Sequence, residues 1–128
     1  MKGQIMRFTL FNGLPLAHAA PDTGGGTAPR AVAEIVTFRL IPGADPARFA
    51  EAAEGMTPFL DRTGAVLSRS LSVDDVGLWT DYITWTSLPA AQEAAAILAQ
   101  QAEAAPFLAM IDGGTVNLRH APIYFSMP

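Results

Sequence analysis

The chain has 128 residues, the length of one domain with one hydrophobic core; half of these residues are hydrophobic and only 16% are charged. It contains no cysteine, which excludes disulfides, thiolate metal sites and cysteine nucleophiles, and every apolar run ends well short of the roughly 20 residues that a membrane span needs. The net charge is −4, and after residue 30 five scattered arginines stand against eleven acidic residues, which argues against nucleic-acid binding.

Residues 1–30 are predicted to form an N-terminal extension that ends in a Gly/Pro-rich linker at residues 21–29. Basic residues, a mostly apolar segment and a small-residue cleavage pattern within residues 1–19 are typical of a signal peptide, which would send the protein to the periplasm or out of the cell. Asn12 and Pro15 interrupt that segment, and this favours a cytoplasmic protein. Alternating apolar and polar residues just before Asn12 also fit an added strand that covers a sheet edge.

The domain itself is predicted to span residues 31–128, and it opens with the run AVAEIVTFRL. Its β-branched and aromatic residues predict a first strand, which Pro42 and Gly43 end with a turn. Asp45 can then accept hydrogen bonds from free amides at a helix start. Pro46 suits the first helical position, where its missing N–H costs nothing.

The first helix is predicted from apolar residues that recur at helical spacing on one face: Phe49, Ala52, Ala53, Met56, Phe59 and Leu60. Pro58 is expected to kink this helix near its end, and Gly64 marks the exit. Two strand-like runs follow, at residues 65–73 and 78–87. The polar segment 74–77 joins them, so the sequence predicts a β-hairpin.

A second helix is predicted over residues 88–101, with small residues on one face: Ala91, Ala94, Ala95 and Leu98. Small side chains allow a close approach to a sheet. A short extra turn is expected at residues 105–111, closed by the Asp-Gly-Gly segment 112–114. The last strand is predicted at residues 115–127. It contains Pro122, which cannot donate to a ladder and therefore suits an edge strand.

The predicted element order is βαββαβ, which gives an α+β, ferredoxin-like fold: an antiparallel sheet with both helices on one face. The other face needs a cover, because the first strand has apolar residues on both sides. The mean hydropathy of +0.25 also indicates apolar surface buried against a partner. We therefore expect a homodimer, the commonest soluble oligomer.

Three segments resemble the dimeric α+β barrel superfamily, and within it the antibiotic biosynthesis monooxygenase-like domains: AEIVTFRLIPGADPARFAEA, the hairpin and helix SRSLS to GLWTDYITWTSLPAAQEAA, and APFLAMIDGGTVNLRHAPI. The resemblance covers residues 31–126 and lies in the order of the elements and in the turn residues that separate strands from helices. It implies a dimeric α+β barrel and, for one branch, cofactor-independent oxygenation of polyketide aromatics. Haem-degrading members differ from this chain, because its first strand has no Asn and its second helix has no His. We therefore expect no cofactor.

The hairpin is predicted to contribute a candidate site. If Val73 faces Leu78, one sheet face carries Trp79, Asp81, Ile83 and Trp85 together with Val66, Ser68, Ser70 and Ser72. Such a face would be an aromatic cup with Trp79 and Trp85 as walls, a carboxylate and hydroxyls, as small-molecule pockets have. Alternatively, both tryptophans are core or interface residues and the serines merely satisfy Asp81.

His120 is the only imidazole after residue 30 and a candidate general base, as is Asp81; His120 could instead be hydrogen-bonded at a dimer seam. In the assumed register Tyr82 and Arg69 lie on the opposite face. There Arg69 would hold an anionic substrate or pair with a carboxylate, and pairing is favoured. The scattered acids and single body histidine predict no metal site.

Two functions from different classes follow. The first is a cofactor-free monooxygenase of a small aromatic or polyketide-like compound, and the alternative is a non-catalytic ligand-binding or stress-associated dimer. A pocket of several hundred Å³ lined by His120 or Asp81 favours the first, and a closed, wholly apolar interior with His120 on the outside favours the second. A purely structural dimer would have no cavity.

Overall fold

The computed structural model describes residues 30–128, so the predicted extension and linker lie outside the described part apart from Arg30. Ten short elements follow one another in this order: β1 (Val32–Leu40), α1 (Pro46–Glu54), α2 (Thr57–Thr63), β2 (Val66–Val73), β3 (Trp79–Trp85), α3 (Leu88–Ile97), two 3₁₀ turns (Leu98–Gln100 and Ala102–Ala104), α4 (Ala105–Ala109) and β4 (Ile111–Pro122). This order confirms the predicted α+β, ferredoxin-like fold.

The four strands form one antiparallel sheet in the order β2-β3-β1-β4. β4 is an edge strand, as the position of Pro122 predicts, because an edge ladder tolerates one missing N–H. The side chains that alternate toward the helices form what we call the inner face of the sheet, and those on the other side form the outer face. Phe38 and Trp79 lie on the inner face and pack against Phe49 of α1, with a ring-centroid distance of 4.9 Å between Phe49 and Trp79.

The first helical segment differs from the predicted single kinked helix, because it breaks into α1 and α2. Asp45 caps α1, its carboxylate accepting a hydrogen bond from the Arg48 backbone N–H at 3.1 Å. Gly55 and Met56 interrupt the helix, so Pro58 falls in the first turn of α2, where it displaces no hydrogen bond. Gly64 ends α2 in the left-handed conformation, at φ 66°, as expected.

The hairpin register differs by one residue from the prediction, since Val73 pairs with Trp79 and not with Leu78. Gly77 has φ 87° and Asp74 pairs with Leu78, so the loop is a three-residue loop with a left-handed glycine. The Asp74 carboxylate accepts hydrogen bonds from the Leu78 and Val76 backbone N–H groups, which lower the pKa of Asp74. The shift holds from Ser68 to Val73 and moves those side chains to the other face, whereas Val66 pairs with Trp85 as predicted, beyond a bulge.

The C-terminal half also departs from the predicted boundaries. α3 ends at Ile97, with a 3₁₀ turn in place of its predicted last turn. β4 begins at Ile111, so residues 112–114 lie within the strand and do not close the preceding turn. A bulge in the β1–β4 ladder, between Thr37 and Arg39, accommodates this glycine-rich segment.

Candidate functional site

A cavity lies between the inner face of the sheet and the helices. Its volume is about 70 Å³. One ordered water needs about 10–15 Å³ on the same measure, so the cavity has room for several water-sized groups. It is smaller than the several hundred Å³ that the oxygenase function predicts. The walls are mainly apolar, and three charged residues interrupt them: Glu34, Arg69 and Asp81. A mostly apolar lining with a few polar groups is the usual composition of a small-molecule site.

Helix α3 leaves the space for this cavity. Ala91 and Ala94 are buried against the sheet and, together with Ala95, line the cavity on the helix side. Ser87 caps the helix by accepting a hydrogen bond from the Ala90 backbone N–H. Because methyl side chains end close to the helix backbone, the gap between helix and sheet is not filled. The alanine-rich face predicted from the sequence therefore forms a cavity wall.

Arg69 and Asp81 form a bidentate ion pair at one side of the cavity. Arg69 Nε and Nη2 donate to the two Asp81 carboxylate oxygens at 3.0 and 2.7 Å, and Arg69 Nη1 donates to the Ala53 carbonyl at 2.8 Å. The exposed fractions of the two side chains are only 15% and 7%. Two parallel hydrogen bonds between a guanidinium and a carboxylate fix the orientation of both groups. Asp81 is therefore occupied by a cation and poorly placed to take a proton from a ligand.

Glu34 and His120 form a second polar pair on the inner face, where β1 and β4 align them directly. His120 Nε2 lies 2.9 Å from Glu34 Oε2, and the Trp85 indole N–H donates to Glu34 Oε1 at 3.3 Å. Glu34 is 7% exposed and lines the cavity. A buried carboxylate with a neighbouring imidazole can accept and pass on a proton.

The structure separates the site residues predicted from the hairpin. Arg69 lies on the inner face beside Asp81, so its predicted place on the opposite face is wrong. Ser70 lies on the outer face opposite Tyr82, so the predicted grouping of the serines with Asp81 is also wrong. The cause is the one-residue shift in register. Tyr82 points away from Asp81, as expected.

The two tryptophans also differ in position. Trp85 lines the cavity and is 2% exposed, whereas Trp79 packs into the aromatic core beside Phe49 and does not line the cavity. The predicted cup with two tryptophan walls therefore has one. His120 lies behind Glu34 as seen from the cavity, since Glu34 is part of the lining and His120 is not.

Glu34 is the residue that the sequence analysis missed. Its signal was its position: in the alternating pattern of β1 it falls on the same side as Val32, Val36 and Phe38, the side that packs against the helices. A carboxylate at an inward position of a central strand is costly to bury without a partner, so it points to a site. No group of three His, Cys, Asp or Glu side chains within residues 30–128 is arranged to hold a metal ion.

Comparisons with known proteins give the fold. No protein family matches the sequence, and no curated protein is similar to it. Among solved structures, the chain is similar to SnoaB, a cofactor-independent oxygenase from Streptomyces nogalater, with a TM-score of 0.62 at 17% identity. The match covers 77% of this chain and 98% of that one. The described domain thus has the same ferredoxin-like fold as that structure. None of the helices within residues 30–128 is long and apolar enough to cross a membrane.

Proposed function

We propose that the protein is a cofactor-independent oxygenase that binds a small, flat, mostly apolar compound with a phenol or enol hydroxyl in the cavity. Glu34 would remove the hydroxyl proton. The single observation that carries this proposal is the Glu34–His120 pair, which presents to a mainly apolar cavity a carboxylate that no arginine within residues 30–128 engages. Efficient general bases combine such positioning with exclusion of water.

The proposed reaction needs only the substrate and dioxygen. Glu34 takes the hydroxyl proton, and the O–H electron pair delocalises to a ring carbon that carries one hydrogen. That carbon adds dioxygen and is oxidised, while the oxygen is reduced to a peroxide that regains the proton from Glu34. Loss of water then leaves a carbonyl. One oxygen atom enters the product, and the other leaves as water with two hydrogens from the substrate.

In this scheme His120 is a positioning residue, and Glu34 takes the role of base that the sequence predicts for His120 or Asp81. Its Nε2 contacts Glu34 Oε2 at 2.9 Å, while the Trp85 indole holds the other oxygen. Together they fix the orientation of the carboxylate. The similarity of the fold to SnoaB, described as a cofactor-independent oxygenase, supports the reaction class. The walls of the cavity include Phe59, Phe107 and Trp85, which favour an aromatic ligand.

An oxygen-uptake measurement with 1-naphthol and anthrone tests this proposal. We expect uptake in air and a product that gains one atom of isotopically labelled dioxygen. Filling the cavity by Ala94→Leu should weaken ligand binding by about tenfold or more, because extra methyl groups in a tight pocket discriminate by that much. Ala96→Leu, on the exposed side of the same helix, is the matched control and should leave binding unchanged.

The alternative, a non-catalytic ligand-binding dimer, predicts a different outcome of the same measurement. Binding that Ala94→Leu weakens, without oxygen uptake for any bound phenol or enol, would favour this alternative over the oxygenase. The Arg69–Asp81 pair suits a binding role without catalysis. Arg69 engages both Asp81 oxygens, so this carboxylate is poorly placed to take a proton from a ligand. Absence of binding would contradict both functions.

We also propose that two copies pair through the outer face of the sheet. No helix within residues 30–128 covers this face, and it presents Ile35 and Tyr82, the latter 39% exposed. We expect light scattering at micromolar concentration to give twice the 13.5 kDa mass of one chain. Tyr82→Asp should shift this toward a single chain, because an unpaired charge is costly at an interface. Val76→Asp, on the hairpin turn, is the control, and a solitary wild-type chain would contradict the proposal.

A further inference from the structure

We infer that the cavity selects an uncharged ligand and rejects one that carries a carboxylate, an inference that rests on the proposed small-molecule site. This inference is argued from the charged side chains in the cavity wall. The lining includes two carboxylates, Glu34 and Asp81, and one guanidinium, Arg69. Asp81 offsets the charge of Arg69, and the Glu34 carboxylate is left with the His120 imidazole and the Trp85 indole as its partners.

Arg69 is the only cation in the described lining, and Asp81 already engages it. The two groups share two hydrogen bonds of 3.0 and 2.7 Å, and a third guanidinium N–H donates to the Ala53 carbonyl at 2.8 Å. The Phe107 ring lies against the guanidinium, 5.5 Å from centroid to carbon. A ligand carboxylate would therefore have to displace Asp81 from a buried, bidentate pair in order to gain a partner.

Glu34 is the second carboxylate in the cavity wall, and it adds a negative charge there. Its carboxylate receives one indole N–H from Trp85 and one contact from His120, and no arginine in the described part of the chain pairs with it. A ligand carboxylate would lose its hydration in the apolar cavity without gaining a cation, and Glu34 would add a repulsion between like charges. Uncharged phenols and ketones avoid this repulsion and still contact the apolar walls of the cavity.

Calorimetric titration of the wild-type protein at neutral pH with a pair of matched ligands tests the inference. The pair is 6-hydroxy-2-naphthoate and its methyl ester, which share a ring system, while the ester is larger and uncharged. We expect the ester to bind at least about tenfold more tightly than the acid, because only the acid must bury a charge without a cation. An acid that binds as tightly as the ester, or more tightly, would overturn the inference. Binding of neither would overturn it together with the proposed function.

A variant isolates the contribution of the ion pair. Asp81→Asn keeps an acceptor for the guanidinium but removes one negative charge, which leaves the charge of Arg69 available to a ligand. We expect the preference for the ester to shrink about tenfold or to reverse. An unchanged preference in a folded variant would contradict the role of Asp81, and if the variant does not fold, the wild-type titration decides. Both measurements report binding alone, so failure of oxygen uptake would leave their result standing.

Discussion

Replacing Arg69 by methionine is expected to lower the free energy of unfolding by about 3–5 kcal/mol, because it leaves the Asp81 carboxylate buried without its cation. Asp81 is 5% exposed, and Arg69 supplies both of the hydrogen bonds that reach its carboxylate from β2. Methionine keeps most of the length and apolar volume of the arginine stem. Urea unfolding followed by tryptophan fluorescence measures the change. A loss below about 1 kcal/mol would contradict this account.

Arg62→Met is the matched control for that prediction. Arg62 makes contacts of similar length with Glu103, at 2.7 and 3.1 Å, but its side chain is 55% exposed. Hydrogen bonding to Arg62 lowers the pKa of Glu103, yet solvent screens such a pair, and the control should unfold almost like the wild type. Adding Asp81→Leu to Arg69→Met should recover much of the stability, since the charge left without a partner is then gone.

The order of the elements could be predicted from the sequence because each boundary has a local cause. Asp45 with Pro46 starts a helix, Gly64 ends one and Pro122 marks an edge strand, and all three act as predicted. The break between α1 and α2 was not predicted. Pro58 indicates a disturbed helix, but only the structure shows that the chain breaks before it and uses the proline in a new first turn.

The composition of the site could not be predicted in the same way, because it depends on registers between distant strands. The three-residue loop with its left-handed Gly77, together with a bulge between Val66 and Ser68, places Arg69 and not Ser70 on the face of Asp81. The pairing of Glu34 with His120 joins residues 86 positions apart, across a ladder that contains a bulge. The alternation of β1 alone would have placed Glu34 inward, but not beside its histidine.

Replacing Glu34 by glutamine is expected to lower the turnover number for oxygen uptake by about 10²–10⁴-fold, the usual contribution of a positioned general base. Glutamine has nearly the same shape and keeps an oxygen for the Trp85 indole N–H, so ligand affinity should change little. Steady-state kinetics together with calorimetric titration separates the two effects. Glu93→Gln, an exposed carboxylate on α3, is the matched control and should keep full turnover.

The same measurement on His120→Gln distinguishes the base from its positioning partner. Glutamine can still donate a hydrogen bond to Glu34, so we expect a smaller loss in turnover than for Glu34→Gln, with the Michaelis constant nearly unchanged. If Glu34→Gln retained more than half of the wild-type turnover while His120→Gln abolished it, the histidine would be the base and the order of the two groups in the proposed reaction would be reversed.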